Sequence, residues 1–487
     1  MNTRTFKLVT LAMISALYVG NVAAEELQQS DLTLATQQLE LENKVEEARL
    51  AAEKKAEEER LALEAEKRFS ERLGEVSLQF KPLIAKIYVE NHFSPIWTDN
   101  QAKQQFLHDY ALAIAGGVSK RSANALNAIH EATGKGELIE DVLLTDAFLD
   151  YLFYATNVAK SAQKWLYAGN SYKVGQLSDE QVSAWLSAVK NNDNLTFVKN
   201  LSGENALFKQ TSARVAHVIE AGVDKHNMVE LHRLAINAQR LRILPVFQDG
   251  IFVNIPSYEL NYYRDGQVVL SSRVIVGQSS RKTPVMSSRL SNVVVNPPWN
   301  APTRLINEDI IPKVRKDPSY IYRHGYTIID GSGNTIDPYT IDWENMSAKR
   351  FPYRLRQAPS DNSALGNYKF NMPSSEAIYL HDTPKRNLFG NKNRALSSGC
   401  VRVEKSDQLA TILLKEAGWT DERKQNVLKS KKTTSAGIKS DNPVFLYYVT
   451  AWVDKDQVHT LPDIYGYDKT PDLSYINWDI LKHYIQR

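Results

Sequence analysis

The chain contains one cysteine, Cys400, in the run Ser397-Ser398-Gly399-Cys400-Val401-Arg402-Val403. A histidine, His381, precedes it by 19 positions at the head of His381-Asp382-Thr383-Pro384. A thiol with its ordinary pKa of about 8.5 is mostly protonated at neutral pH. An imidazole beside it can take that proton and release a strong nucleophile. The imidazole must itself be held in one tautomer, usually by an acceptor for its second ring nitrogen. Acyl transfer also needs N–H donors aimed at the developing oxyanion, and a Gly-Cys turn can supply them because glycine tolerates unusual dihedrals. The pair alone is equally compatible with a hydrogen-bonded histidine and a buried core cysteine. The His and Cys positions lack zinc-ligand spacing, so no metal and no cofactor is expected.

The start of the sequence reads as an export address. Arg4 and Lys7 precede a mostly apolar run from Leu8 to Val19, and Val22-Ala23-Ala24 suits cleavage before Glu25. An uncleaved anchor is the alternative. The run is short for a membrane span, and no later stretch reaches 18 consecutive apolar residues, so a periplasmic protein without a span is expected after cleavage. Exported proteins often pair their cysteines, so a lone thiol is a candidate for reactivity. A net charge of +3, with no Lys/Arg block interleaved with aromatics, argues against nucleic acid as a partner.

The 487 residues allow two or three domains. The sequence predicts an α+β multidomain chain, divided as a 1–24 signal peptide, a 25–72 charged helix, a 73–239 helical domain, a 240–470 catalytic domain and a 471–487 tail. The charged segment lacks Pro and Gly, and Leu34, Leu41, Ala48, Ala62 and Phe69 fall on a seven-residue spacing broken at Lys55 and Glu59. It reads as a weak coiled coil with a protein partner or as a solvated spacer. The helical domain has apolar residues at helical spacing, with Trp97, Trp165 and Trp185 as core aromatics. From Leu244-Pro245 onward the pattern turns to short β runs, mostly antiparallel. These include a hairpin about Asp265-Gly266 and strands at Val293–Val295, Tyr368–Phe370, Ala377–Leu380 and Val444–Val453. An aromatic-rich insertion, 302–351, interrupts them as a candidate lid. Ser406 is expected to cap a helix ending near Gly418, and Lys424–Asp441 reads as a surface loop.

His-Asp-Thr-Pro followed by Ser-x-Gly-Cys-Val-Arg-Val resembles the active-site signature of L,D-transpeptidases with the YkuD-type catalytic domain. Val253-Asn254-Ile255-Pro256, Val274-Ile275-Val276-Gly277, Thr283-Pro284, Asn296-Pro297-Pro298-Trp299 and Ala364-Leu365-Gly366 follow in that family's order. Phe93-Ser94-Pro95-Ile96-Trp97 resembles the start of the helical scaffold of its large branch. The resemblance implies Cys400 as nucleophile, His381 as general base and the Asp382 backbone carbonyl as its orienting acceptor. It implies an oxyanion site from the Gly399 and Cys400 N–H groups with Tyr379, and Arg402 as a shaping or carboxylate-pairing residue. The insertion would be a capping subdomain. Ser398 stands where many members have His, a departure that bears on oxyanion geometry or substrate choice. The expected substrates are peptidoglycan stem peptides, a tetrapeptide donor and a diaminopimelate acceptor joined by a 3-3 cross-link, with carbapenems acylating Cys400. Hydrolysis by the same residues, attachment of a lipoprotein to the wall, or a non-catalytic wall-binding scaffold are the alternatives.

Overall fold

The computed structural model describes residues 40–41, 43–168, 172–347 and 351–486. The expected leader and the first part of the charged segment lie outside the described residues. The chain divides into two compact units, one of residues up to Pro95 together with Lys135–Asp146, the other of Ile96–Gly134 with Ala147–Arg487.

In the first unit, residues 43–73 form a helix stitched by i,i+3 and i,i+4 pairs such as Arg60–Glu57 and Arg68–Glu64. Leu41 and Val45 of its apolar stripe are exposed, whereas Ala65 and Phe69 are buried. Helix Lys81–Glu90 places Tyr88 so that its hydroxyl donates to Asp141 at 2.5 Å.

The second unit begins with helices whose starts are chemically marked. Asp99 accepts from the Gln101 and Ala102 N–H groups ahead of Asn100–Ala115, and Ser178 with Gln181 forms a capping box ahead of Asp179–Lys190. Trp97, Trp165 and Trp185 are buried as expected, with Trp97 stacked on Phe106. Within the expected 471–487 tail, Trp478–Ile485 is a helix. Asn477 caps it, and Ile480, Leu481 and Tyr484 are buried. No helix among the described residues is long and apolar enough to cross a membrane.

The β region is a large sheet. Its path runs Thr434–Gly437, Asn292–Val295, Tyr368–Asn371, Leu380–His381, Val401–Val403, Gln267–Gly277, Glu259–Arg264, Gly250–Asn254, Pro443–Tyr447 and Met286–Arg289, with Ala395–Ser397 beside Gln267–Gly277. Most pairings are antiparallel. The pairings of Leu380–His381 with Val401–Val403, of Gly250–Asn254 with Pro443–Tyr447 and of Ala395–Ser397 with Gln267–Gly277 are parallel. Asp265 and Gly266 both have positive φ, the geometry that turns a two-residue hairpin.

Four local expectations need correction. Lys424–Asp441 is not a loop. It holds most of helix Asp421–Ser430 and all of strand Thr434–Gly437, because Thr420 caps the helix and the Lys424 ammonium is buried against Asp407 at 3.0 Å. Val444–Val453 splits into Pro443–Tyr447 and Ala451–Asp454. Ala377 has φ 52°, so only Leu380–His381 pairs as strand. Ser406 does not cap its helix, Ser406–Glu416. It lies inside the first turn and donates its Oγ–H to Asp382 Oδ1 at 2.7 Å.

The insertion has a core of its own, built on Ile306, Ile310, Ile311, Val314, Ile328, Trp343 and Leu355. A small sheet of Trp299–Asn300, Tyr326–Ile329, Thr335–Ile336 and Arg354–Gln357 frames it, so the folded unit is wider than 302–351.

Candidate active site

Strand register gathers the sequence-flagged residues. His381 pairs with Arg402 on one side and with Lys369 on the other, and Leu380 pairs with Val401 and Phe370. Neighbours in register share a face, and successive residues alternate. Leu380, Val401, Phe370 and Val403 therefore enter the apolar core, which contains all four. Lys369, His381 and Arg402 form a row on the opposite face. Tyr379 and Cys400, two residues before His381 and Arg402, fall on that face too.

His381 is 6% exposed and its Nδ1 lies 2.6 Å from the Asp382 carbonyl oxygen. A carbonyl only accepts, so Nδ1 carries the proton and Nε2 is left as the basic nitrogen. Burial, then the charge of Arg402, pushes the imidazole down to about 3, with Lys369 acting in the same direction. Cys400 is half-buried, and burial pushes its thiol up, opposed by Tyr379, Lys369 and Arg402. These directions favour a neutral thiol and a neutral imidazole at neutral pH. Alkylation of Cys400 by iodoacetamide is accordingly expected to keep accelerating through pH 9. A plateau between pH 6 and 7, measured by intact-mass kinetics, would instead reveal a preformed thiolate.

The Asp382 side chain, 3% exposed, faces away from this chemistry. Its Oδ1 accepts from Ser406 Oγ and from Arg386 at 2.8 Å, and its Oδ2 accepts from the Asn367 N–H at 2.8 Å. A Cβ on Gly366 (φ +57°) would stand 2.3 Å from Oδ2, so this close approach requires glycine. The carboxylate thus ties three segments together and holds the carbonyl that orients His381.

The turn before Cys400 is equally fixed. Ser397 Oγ donates to the Cys400 carbonyl at 2.6 Å and accepts from the Gly399 N–H at 3.1 Å. Gly399 has φ 122°, a region closed to most side chains. The Thr283 hydroxyl donates to the Gly399 carbonyl at 2.7 Å. The expected Gly399 donor is therefore already engaged by Ser397. Tyr379 has Cys400 and Trp299 as polar neighbours, and burial together with Cys400 pushes its phenol well up, so it stays an O–H donor.

Ser398 sits where the insertion meets the turn before Cys400. Its Oγ lies 3.1 Å from Arg281 Nη1, and its carbonyl accepts from Arg304 at 2.9 Å. Arg281 in turn pairs with Asp309 at 2.6 Å and Glu308 at 2.7 Å from the insertion. Sequence reasoning overlooked Arg281, Ser397 and Lys369. Only Lys369 left a signal, as the odd residue of the alternating run Tyr368-Lys369-Phe370.

A half-buried cysteine and a buried histidine thus share one face of a mostly antiparallel sheet, with an inserted subdomain joined to the turn before Cys400. The L,D-transpeptidase catalytic domain model matches residues 248–417, and a scaffold domain model matches residues 82–214. A Haemophilus influenzae protein described as a presumptive L,D-transpeptidase is 58% identical over 417 residues, covering 86% of this chain and 84% of the relative. The chain belongs to the L,D-transpeptidase family. Among solved structures, the Ldtfm–avibactam carbamoyl enzyme matches with 12% identity over 42% of this chain and a TM-score of 0.20. An L,D-transpeptidase from Mycobacterium smegmatis matches with 11% identity over 40% of this chain and a TM-score of 0.20. The matched region spans 50% and 57% of those two chains.

Proposed function

We propose that this protein is a periplasmic peptidoglycan L,D-transpeptidase that forms 3-3 cross-links. Cys400 attacks the carbonyl of the diaminopimelate residue of a tetrapeptide stem. The thiol proton passes to His381 Nε2 and then to the departing amine, and D-Ala leaves as a thioester forms. The side-chain amine of diaminopimelate on a second stem attacks the thioester, loses a proton to His381, and regenerates the thiol. The oxyanion would be met by the Cys400 N–H and the Tyr379 hydroxyl, with Gly399 shaping the turn while its own N–H stays with Ser397. The observation that carries this reading is the His381–Asp382 hydrogen bond, which leaves Nε2 basic on the face that Cys400 occupies. The capping subdomain would limit water and favour aminolysis over hydrolysis. The helix before residue 73 would carry any protein partner.

Mass spectrometry of products from a disaccharide-tetrapeptide tests this. A 3-3 linked dimer formed by the wild type and absent with Cys400→Ala is expected, as is a carbapenem adduct on the wild type alone. Tripeptide without dimer would make the enzyme an L,D-carboxypeptidase. Unchanged tetrapeptide from folded protein, without adduct, would leave only a wall-binding role.

A further inference from the structure

We propose that Lys369 adds a second cation to the carboxylate-pairing position that the family resemblance implies for Arg402, so that the two form a seat for a substrate carboxylate beside Cys400. The inference rests on the L,D-transpeptidase reading and deepens it by naming what the donor must carry. The two residues flank His381 in register, on strands Tyr368–Asn371 and Val401–Val403, on the face that carries the thiol. That spacing puts their Cα atoms on the order of 10 Å apart. Lysine and arginine side chains are long enough to meet one carboxylate across this span.

Neither cation is placed as a structural ion pair. Among the described residues neither forms a salt bridge, only a Cys400 thiolate would offset their charge, and burial disfavours the charged form of both. Arg402 Nε is buried with no hydrogen-bond partner among the described residues. The Lys369 ammonium lies 4.3 Å from the centroid of the Tyr379 ring, which fixes its direction without neutralising it. Two half-buried cations and an orphaned guanidinium N–H cost stability in the free protein. An anionic ligand supplies the missing acceptor, and the guanidinium fork matches a carboxylate in particular.

A stem peptide offers such carboxylates on the departing terminal residue and on the diamino acid. Once seated, either would offset the Arg402 and Lys369 charges that add to burial in lowering His381, and so ease proton transfer from Cys400. Lys369 is then a specificity-determining residue, not a second base.

Three substrates separate the sources: the free-acid disaccharide-tetrapeptide, its C-terminal amide and its diaminopimelate amide. For the wild type, one of the two amides is expected to lose about ten- to a hundredfold in kcat/KM, mainly through KM. Lys369→Met should erase that preference, read as the ratio of kcat/KM between the free acid and the penalised amide, and Lys369→Arg should restore it. The same ligands are titrated calorimetrically into the Cys400→Ala protein with and without Lys369→Met, which needs no turnover. A preference in binding that vanishes with Lys369→Met, in a wild type that turns nothing over, would keep the seat and discard the reaction. Equal use or equal binding of all three ligands by protein with Lys369 intact would overturn the seat. A uniform loss across all three in Lys369→Met would do the same.

Discussion

Replacing His381 with Gln is expected to lower kcat/KM for Cys400-dependent acyl transfer by roughly 10²–10⁴-fold. The loss should fall chiefly on kcat, because in the proposed reaction the residue acts on a proton in flight and not on substrate binding. The Nδ1 bond to the Asp382 carbonyl commits the ring to one tautomer. Gln can donate to that carbonyl but offers no basic nitrogen to the thiol. The pH profile gives an independent check. Burial, Arg402 and Lys369 hold the imidazole at about 3, well below its usual 6.5, so the free enzyme keeps its base through pH 5. The acid limb of wild-type kcat/KM should therefore lie below pH 5, and a limb centred near 6.5 would contradict this electrostatic picture. The stability linkage has the same sign. The unfolded chain binds the proton more readily, so the contribution of neutral His381 is full above its unfolded value of about 6.5 and is lost as pH falls towards 3.

The largest loss of stability is expected from Asp468→Ala. Asp468 receives Arg240 at 2.6 Å, Arg233 at 3.1 Å and the Thr450 hydroxyl at 2.6 Å. Arg240, on helix Met228–Arg242, is fully buried, and it also donates to the Tyr467 carbonyl at 2.8 Å and the Leu166 carbonyl at 3.1 Å. Asn237 of the same helix accepts from the Thr450 N–H at 2.9 Å. The cluster therefore fastens that helix to the segment that follows the sheet. Removing the carboxylate strands a buried guanidinium, which costs about 3–5 kcal/mol. Removing both partners removes the stranded charge, so Arg240→Met with Asp468→Leu should recover much of the loss. Denaturant midpoints with a double-mutant cycle read both effects. A single-mutant cost under about 1 kcal/mol would mean that the network carries little net stability.

The sequence alone singled out Cys400 and His381 as candidates, because a lone thiol and a His-Asp-Thr-Pro run are properties of residue type and order. It also fixed the hairpin at Asp265-Gly266, whose positive φ pair is encoded by the residues themselves. The core aromatics Trp97, Trp165 and Trp185 were legible from helical periodicity. Composition misjudged Lys424–Asp441, since its charge hid a lysine buried against Asp407. It misread Ser406 for a related reason, because the serine's partner, Asp382, lies 24 residues away. What only the tertiary structure decided was register. A shift of one residue in the pairing of Leu380–His381 would turn His381 into the core and Leu380 outward. Register put Lys369 beside His381, and chain folding brought Arg304, Glu308 and Asp309 of the insertion to Arg281 and Ser398. No local pattern encodes such contacts, because the partners are far apart in sequence and meet only when the sheet closes.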